Sequence, residues 1–154
     1  MHETSPEGAP ARSRKAVIPV QVVEGGGPLT FLRVMAVLCL LMILTQGLLA
    51  GMLMNGDVDS IDPHGMGAYV FEALALVQLV AAVMLWRRNR ELKWVLSAGI
   101  GILLTAFIQV FLGLESSTSA HVTVGVLMAV METTLLMRCL MLQVAEPDPE
   151  PAPA

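Results

Sequence analysis

The chain has 154 residues, of which 55% are hydrophobic and only 14% charged, with a net charge of −4. A soluble domain of this size carries about 25% charged residues, so the composition excludes an ordinary water-soluble enzyme. The charges are segregated along the chain rather than mixed, and no basic patch of the kind that binds nucleic acid is present.

Residues 1–30 contain Pro6, Pro10, Pro19 and Pro28 and the run Gly25-Gly26-Gly27. That composition cannot bury a core and predicts a disordered cytoplasmic arm. Within it, Ala16–Val23 is apolar and β-prone, suited to a membrane surface or a partner. Four apolar stretches follow, at Leu32–Met54, Gly65–Trp86, Leu92–Leu114 and Ser119–Leu142. Each approaches or exceeds the ~20 residues that cross a ~30 Å hydrocarbon layer. The first is too long for the apolar core of a secretory signal and reads as a retained helix. Residues 145–154 form an acidic, proline-rich tail, expected to be extended and solvated. The fold expected is all-α: a four-helix transmembrane bundle over residues 31–144, in contact with the lipid bilayer.

Every Lys and Arg falls on one side of this arrangement. Arg12, Arg14, Lys15 and Arg33 precede the first span, Arg87, Arg88, Arg90 and Lys93 separate the second from the third, and Arg138 nears the end of the fourth. The positive-inside rule then puts both termini in the cytoplasm and both acidic loops outside, in a multi-pass protein of the cell membrane. Trp86 and Trp94 flank the inner loop, where interfacial tryptophans belong. Asp62-Pro63 reads as an N-cap followed by proline at the first helical position. Ser116, Ser117, Thr118 and Ser119 offer caps for the last helix. Gly47-x-x-x-Gly51 fits a close helix crossing, and Gly99 and Gly101 suggest another. Cys39 and Cys139 lack redox-motif spacing and read as small packing residues.

The two hairpins resemble one another. Gln46 precedes the first outer loop and His64 follows it; Gln109 precedes the second and His121 follows it. Both hairpins start on the inner side, so the repeat is parallel, with its pseudo-two-fold axis along the membrane normal. That axis brings His64 and His121 to similar depth near the outer face. Two imidazoles on two helices are what a bis-histidine haem b needs, with each second ring nitrogen free to bond elsewhere. Ala68 and Gly125, one turn along, leave room for a flat macrocycle, and Gln46 and Gln109 are placed to hydrogen-bond the ligands. One tension is geometric. His64 lies 23 residues before Arg87 and His121 only 17 before Arg138, about 34 Å against about 26 Å of helix. The depths agree only if Arg138 sits within the membrane and snorkels inward.

Over roughly residues 33–142 the chain resembles one four-helix half of haem A synthase, and it is similar to uncharacterised small four-span bacterial membrane proteins with the same Gln and His placement. The resemblance implies that His64 and His121 are axial ligands of haem iron. The family has two such halves where this chain has one. The family's catalytic glutamate has no counterpart in Ser60, Ile61, Asp62 and Pro63 before His64. The resemblance therefore implies haem binding rather than haem A synthesis, and no catalytic residue is assigned.

Glu72 and Glu132 lie inside spans, where a carboxylate is costly and faces the bundle interior or water. With Arg138 they form a candidate intramembrane polar or proton site, and Gln78 is a candidate for bonding across helices. Met52, Met54 and Met66 near His64 raise a Cu(I) alternative. The functional readings are thus an electron-transfer or redox-sensing haem protein, a non-enzymatic accessory subunit of a larger membrane complex, and a proton- or metal-handling carrier using Glu72 and Glu132; the partner expected is a larger membrane complex or a second copy in a homo-oligomer.

Overall fold

A computed structural model describes residues 21–145. Expectations for residues 1–20 and 146–154 lie outside the described residues. The order is β1 (Val22–Val23), α1 (Gly26–Met54), a 3-10 turn at Val58–Ser60, α2 (Ile61–Arg88), α3 (Lys93–Leu114), α4 (Thr118–Met141) and β2 (Gln143–Val144). All four α-helices are long and apolar enough to cross a membrane. The shortest, α3, has 22 residues, which span about 33 Å. Short connections force antiparallel neighbours, and the helices close into a ring: α1 packs on α2 and α4, and α3 on α2 and α4. Hence α2 faces α4 across the diagonal.

The core is built for close approach. Ala75, Ala81 and Ala82 of α2 and Gly99 and Ala106 of α3 are buried, so backbones come together where larger side chains would hold them apart. A Cβ at Gly99 would stand 3.1 Å from Leu79 Cδ1 and 3.3 Å from Ala82 Cβ. The expected close crossing is therefore real there. At Gly101 such a Cβ would meet only the flexible end of Met131, at 3.0 Å. Gly47 and Gly51 make no close approach, since a Cβ at either would meet nothing within 4 Å. They face a cavity instead. The outer surface is as apolar as the interior: Leu41, Leu48, Val80, Leu104, Phe107 and Leu140 are all exposed, as a lipid solvent allows and water does not.

Three boundaries differ from expectation. First, α1 starts at Gly26 rather than at residue 32, with Pro28 in the first turn, where backbone N–H groups have no helical partner to lose. Second, α2 is capped at Ser60, so Asp62 and Pro63 are helical residues and not the cap. The 3-10 turn winds the chain into the helix early, with Ser60 Oγ donating to Asp57 Oδ2 at 2.8 Å. Third, α4 begins after Ser117 without a side-chain cap bond.

The predicted arm is also not wholly unstructured. β1 pairs in parallel with β2, Val22 opposite Gln143 and Val23 opposite Val144. Asn89, buried after α2, donates to the Glu24 and Leu85 carbonyls at 2.9 and 3.1 Å and accepts from Glu24 N–H at 2.8 Å. Arg33 donates to the Cys139 and Leu142 carbonyls at 2.9 and 2.8 Å, at the end of α4, where the Cys139 oxygen also accepts from Leu142 N–H at 3.2 Å. This tied end, the base, holds β1, β2 and the cationic side chains. There Arg90 lies 4.3 Å from the Trp86 ring centre and Arg138 lies 3.9 Å from that of Trp94. Cys39 and Cys139 are free and buried, as packing residues should be.

Candidate cofactor-binding cavity

At the end opposite the base, α2 begins at Ile61 and α4 at Thr118. His64 and His121 are each the fourth residue of their helix. The equal register brings the two rings close together. Their centres lie 5.9 Å apart, with planes inclined at 63°. The rings meet although α2 runs 24 residues beyond His64, to Arg88, and α4 only 20 beyond His121, to Met141; Arg138, in the last turn of α4, lies against Trp94.

Beside the two rings is a cavity of about 510 Å³. Its α1 wall is made of Gln46, Gly47, Ala50 and Gly51, its α4 wall of His121, Gly125 and Val126. Ala68 and Phe71 of α2 and Ala106 and Gln109 of α3 complete it. All six residues singled out for cofactor binding, His64, His121, Gln46, Gln109, Ala68 and Gly125, therefore border one space. Leu44, Met54 and Val126 also line it and are exposed at 60%, 73% and 61%, so its rim reaches the apolar outer surface.

His121 Nδ1 lies 3.0 Å from the Gln109 carbonyl. A carbonyl only accepts, so this nitrogen carries the hydrogen, and in the neutral ring Nε2 keeps its lone pair. The Gln46 carbonyl lies beside His64 in the same relation, but the geometry falls short of a hydrogen bond, and His64 Nδ1 is buried without a partner.

The glutamines differ from expectation in which atoms they use. It is the backbone of Gln109 that orients a histidine. The side-chain amides lie instead against glycines of the facing helices. A Cβ at Gly67 would overlap Gln46 Nε2, and one at Gly125 would come within 3.0 Å of Gln109 Nε2. Gln46 Nε2 and Gln109 Oε1 are buried and unpartnered beside the cavity.

Glu72, Glu132 and Arg138 do not form one site. Glu72 is half-buried and is not among the cavity walls. Glu132 is fully buried and accepts from Gln78 Nε2 at 3.0 Å. Arg138 serves Trp94. Gln78 thus does bond across helices, and it spans the diagonal from α2 to α4. The methionines do not converge either, since Met54 lines the cavity while Met52 and Met66 are exposed and lie outside it. Among the described residues no group of three or more His, Cys, Asp or Glu side chains could hold a metal ion.

Sequence reasoning missed Gly67, on which the Gln46 amide rests. The signal was present in Gly65-x-Gly67 just after His64, but glycine spacing alone does not say which neighbour approaches. Comparison with protein-family models, with curated proteins and with solved structures finds no match.

Proposed function

We propose that this chain is an integral membrane protein that binds haem b between His64 and His121 and passes single electrons or senses redox state. The observation that carries the reading is the pair of imidazoles, 5.9 Å apart on diagonally opposed helices, at the edge of a largely apolar cavity. Metal–imidazole bonds are about 2 Å long, so rings this close would be near enough for His64 and His121 to hold one metal between them. The cavity volume falls in the range of about 300–1,000 Å³ typical of small-molecule and cofactor sites. With only two protein ligands, the remaining ligands must come from the cofactor, which suits a macrocycle better than a bare ion.

Haem supplies a one-electron couple when bound. The chain's own residues supply the rest. The Gln109 carbonyl holds the His121 ring in the tautomer whose Nε2 would be free to donate to a metal. Gly47, Gly51 and Gly125 keep the walls low where a flat group must lie. Phe71 and Ala106 exclude water from the inner side. The cations Arg33, Arg87, Arg88, Arg90, Lys93 and Arg138 are all at or near the base. The positive-inside rule then favours a cytoplasmic base and an outer cavity, with the two hairpins related as a parallel repeat.

The test is a visible spectrum of protein purified from haem-replete cells. A dithionite-sensitive six-coordinate spectrum is expected, converted to five-coordinate or lost in His64→Ala and in His121→Ala. A colourless protein that fails to take up added haem refutes the reading. If that protein also co-purifies with a larger membrane complex, the accessory role takes its place.

A further inference from the structure

In the middle of the bundle, away from the histidines, two fully buried polar side chains meet: Gln78 of α2 and Glu132 of α4. One bond is present, Gln78 Nε2 donating to Glu132 Oε2 at 3.0 Å. Two atoms are left over, Gln78 Oε1 and Glu132 Oε1, both buried and without a partner. The amide oxygen can only accept, and an ionised carboxylate can only accept. With Glu132 ionised, the two leftover oxygens have no donor between them. A charge would then rest in an apolar interior on one hydrogen bond. A proton on Glu132 Oε1 removes both deficits at once. The hydroxyl donates to Gln78 Oε1 while the amide N–H donates to Glu132 Oε2, the two-bond ring of a carboxylic acid paired with a primary amide.

We propose that Glu132 and Gln78 form a proton-binding site at mid-bundle, with the proton held on Glu132 and shared with the Gln78 amide oxygen. Among the described residues no counter-cation replaces that proton. On α1, Arg33 is engaged by the Cys139 and Leu142 carbonyls; on α4, Arg138 is engaged by Trp94. The ionisable neighbours that do face Glu132 are the buried thiols Cys39 of α1 and Cys139 of α4. On α2, Glu72 lies six residues before Gln78 and is only half-buried. Between Lys93 and Glu115, α3 has no ionisable side chain.

The site lies close beneath the cavity. Glu132 is one helical turn beyond Met128, which lines it. A positive charge gained in the cavity lowers the hold on the proton through the low-dielectric core. This coupling rests on the haem reading. As one electron leaves the cavity for an external one-electron acceptor, one proton leaves Glu132 Oε1 for water, and reduction returns both.

The proton itself is tested without haem. Infrared spectra of the full chain in lipid nanodiscs at neutral pH should show a carboxylic-acid C=O band that shifts in D₂O. It should vanish in Glu132→Gln, remain in Glu72→Gln, and move to higher frequency in Gln78→Leu, where the acid loses its partner. Absence of the band in the wild type, its survival in Glu132→Gln, or an unmoved band in Gln78→Leu overturns the proposal. In haem-loaded protein the midpoint potential should fall as pH rises, with this slope lost in Glu132→Gln. An equal slope in both proteins overturns the coupling. A colourless protein that still shows the band removes the haem reading and leaves the proton site standing.

Discussion

Replacing Gly125 by leucine isolates the steric requirement for a flat cofactor from the requirement for a ligand. Gly125 lies one turn beyond His121 on the cavity wall. A Cβ there approaches only Gln109 Nε2, at 3.0 Å, the free end of a side chain that can swing aside. The rest of the leucine then projects into the open space. The His121 ring keeps its bond to the Gln109 backbone carbonyl, because a backbone oxygen does not move with the amide. The apo-protein should fold and be at least as stable as the wild type, since a helical glycine costs about 1 kcal/mol relative to leucine or alanine. Forcing a rigid ligand against an added side chain costs about 1–3 kcal/mol, which weakens haem binding about 5- to 150-fold. The assay is absorbance titration of the apo-protein with haem in detergent. Unchanged affinity in Gly125→Leu, with His121→Ala still defective, refutes the placement of the macrocycle in this cavity.

Other consequences of the structure are open to measurement. Cysteine at Asp59 should react with an impermeant maleimide in intact cells and cysteine at Glu91 should not, in a background where Cys39 and Cys139 are replaced; both positions are exposed, whereas Asn89 in the same inner loop is buried and hydrogen-bonded. Asn89→Ala should destabilise the folded protein by about 2–3 kcal/mol in a reversible denaturation assay, because it strips the part-buried Glu24 N–H and carbonyl of their partners. Gly99→Leu should cost about 1–3 kcal/mol by driving α3 away from Leu79 and Ala82. Gly51→Ala, facing open space, should cost nothing and gain up to about 1 kcal/mol in helix propensity.

The four helices and the histidine pair were legible for the same reason. A bilayer demands long uninterrupted apolar runs, so span length alone announces the helices. Two histidines at the same step of two helices announce that they can meet, and their ring centres lie 5.9 Å apart. What could not be read depends on rotation about the helix axes, which an all-round apolar helix does not advertise. Gly47 and Gly51 suggested contact, yet they border a void. Glu132 reads in the sequence as one member of a candidate polar site with Glu72 and Arg138, yet its partner is Gln78 across the diagonal. The Asp62-Pro63 pair was misread because proline is tolerated anywhere among the first free N–H groups, so it marks a helix start only to within a turn. The pairing of β1 with β2 joins residues about 120 positions apart, and two-residue strands carry no periodicity to betray it.

That last contact constrains the order in which the molecule can come into being. The ring of helices is closed by its first and last members, fastened at the base by Arg33 and by the two short strands. During synthesis α1, α2 and α3 reach the membrane with one flank of α1 uncovered. Only when the final helix and the residues just after it emerge can the clasp fasten. The cavity takes most of its walls from α1 and α4, so before that moment it does not exist. A ligand that needs all four walls therefore meets its site only after the last helix is made, and a chain cut short before Gln143 loses the fastening that holds its two side walls together.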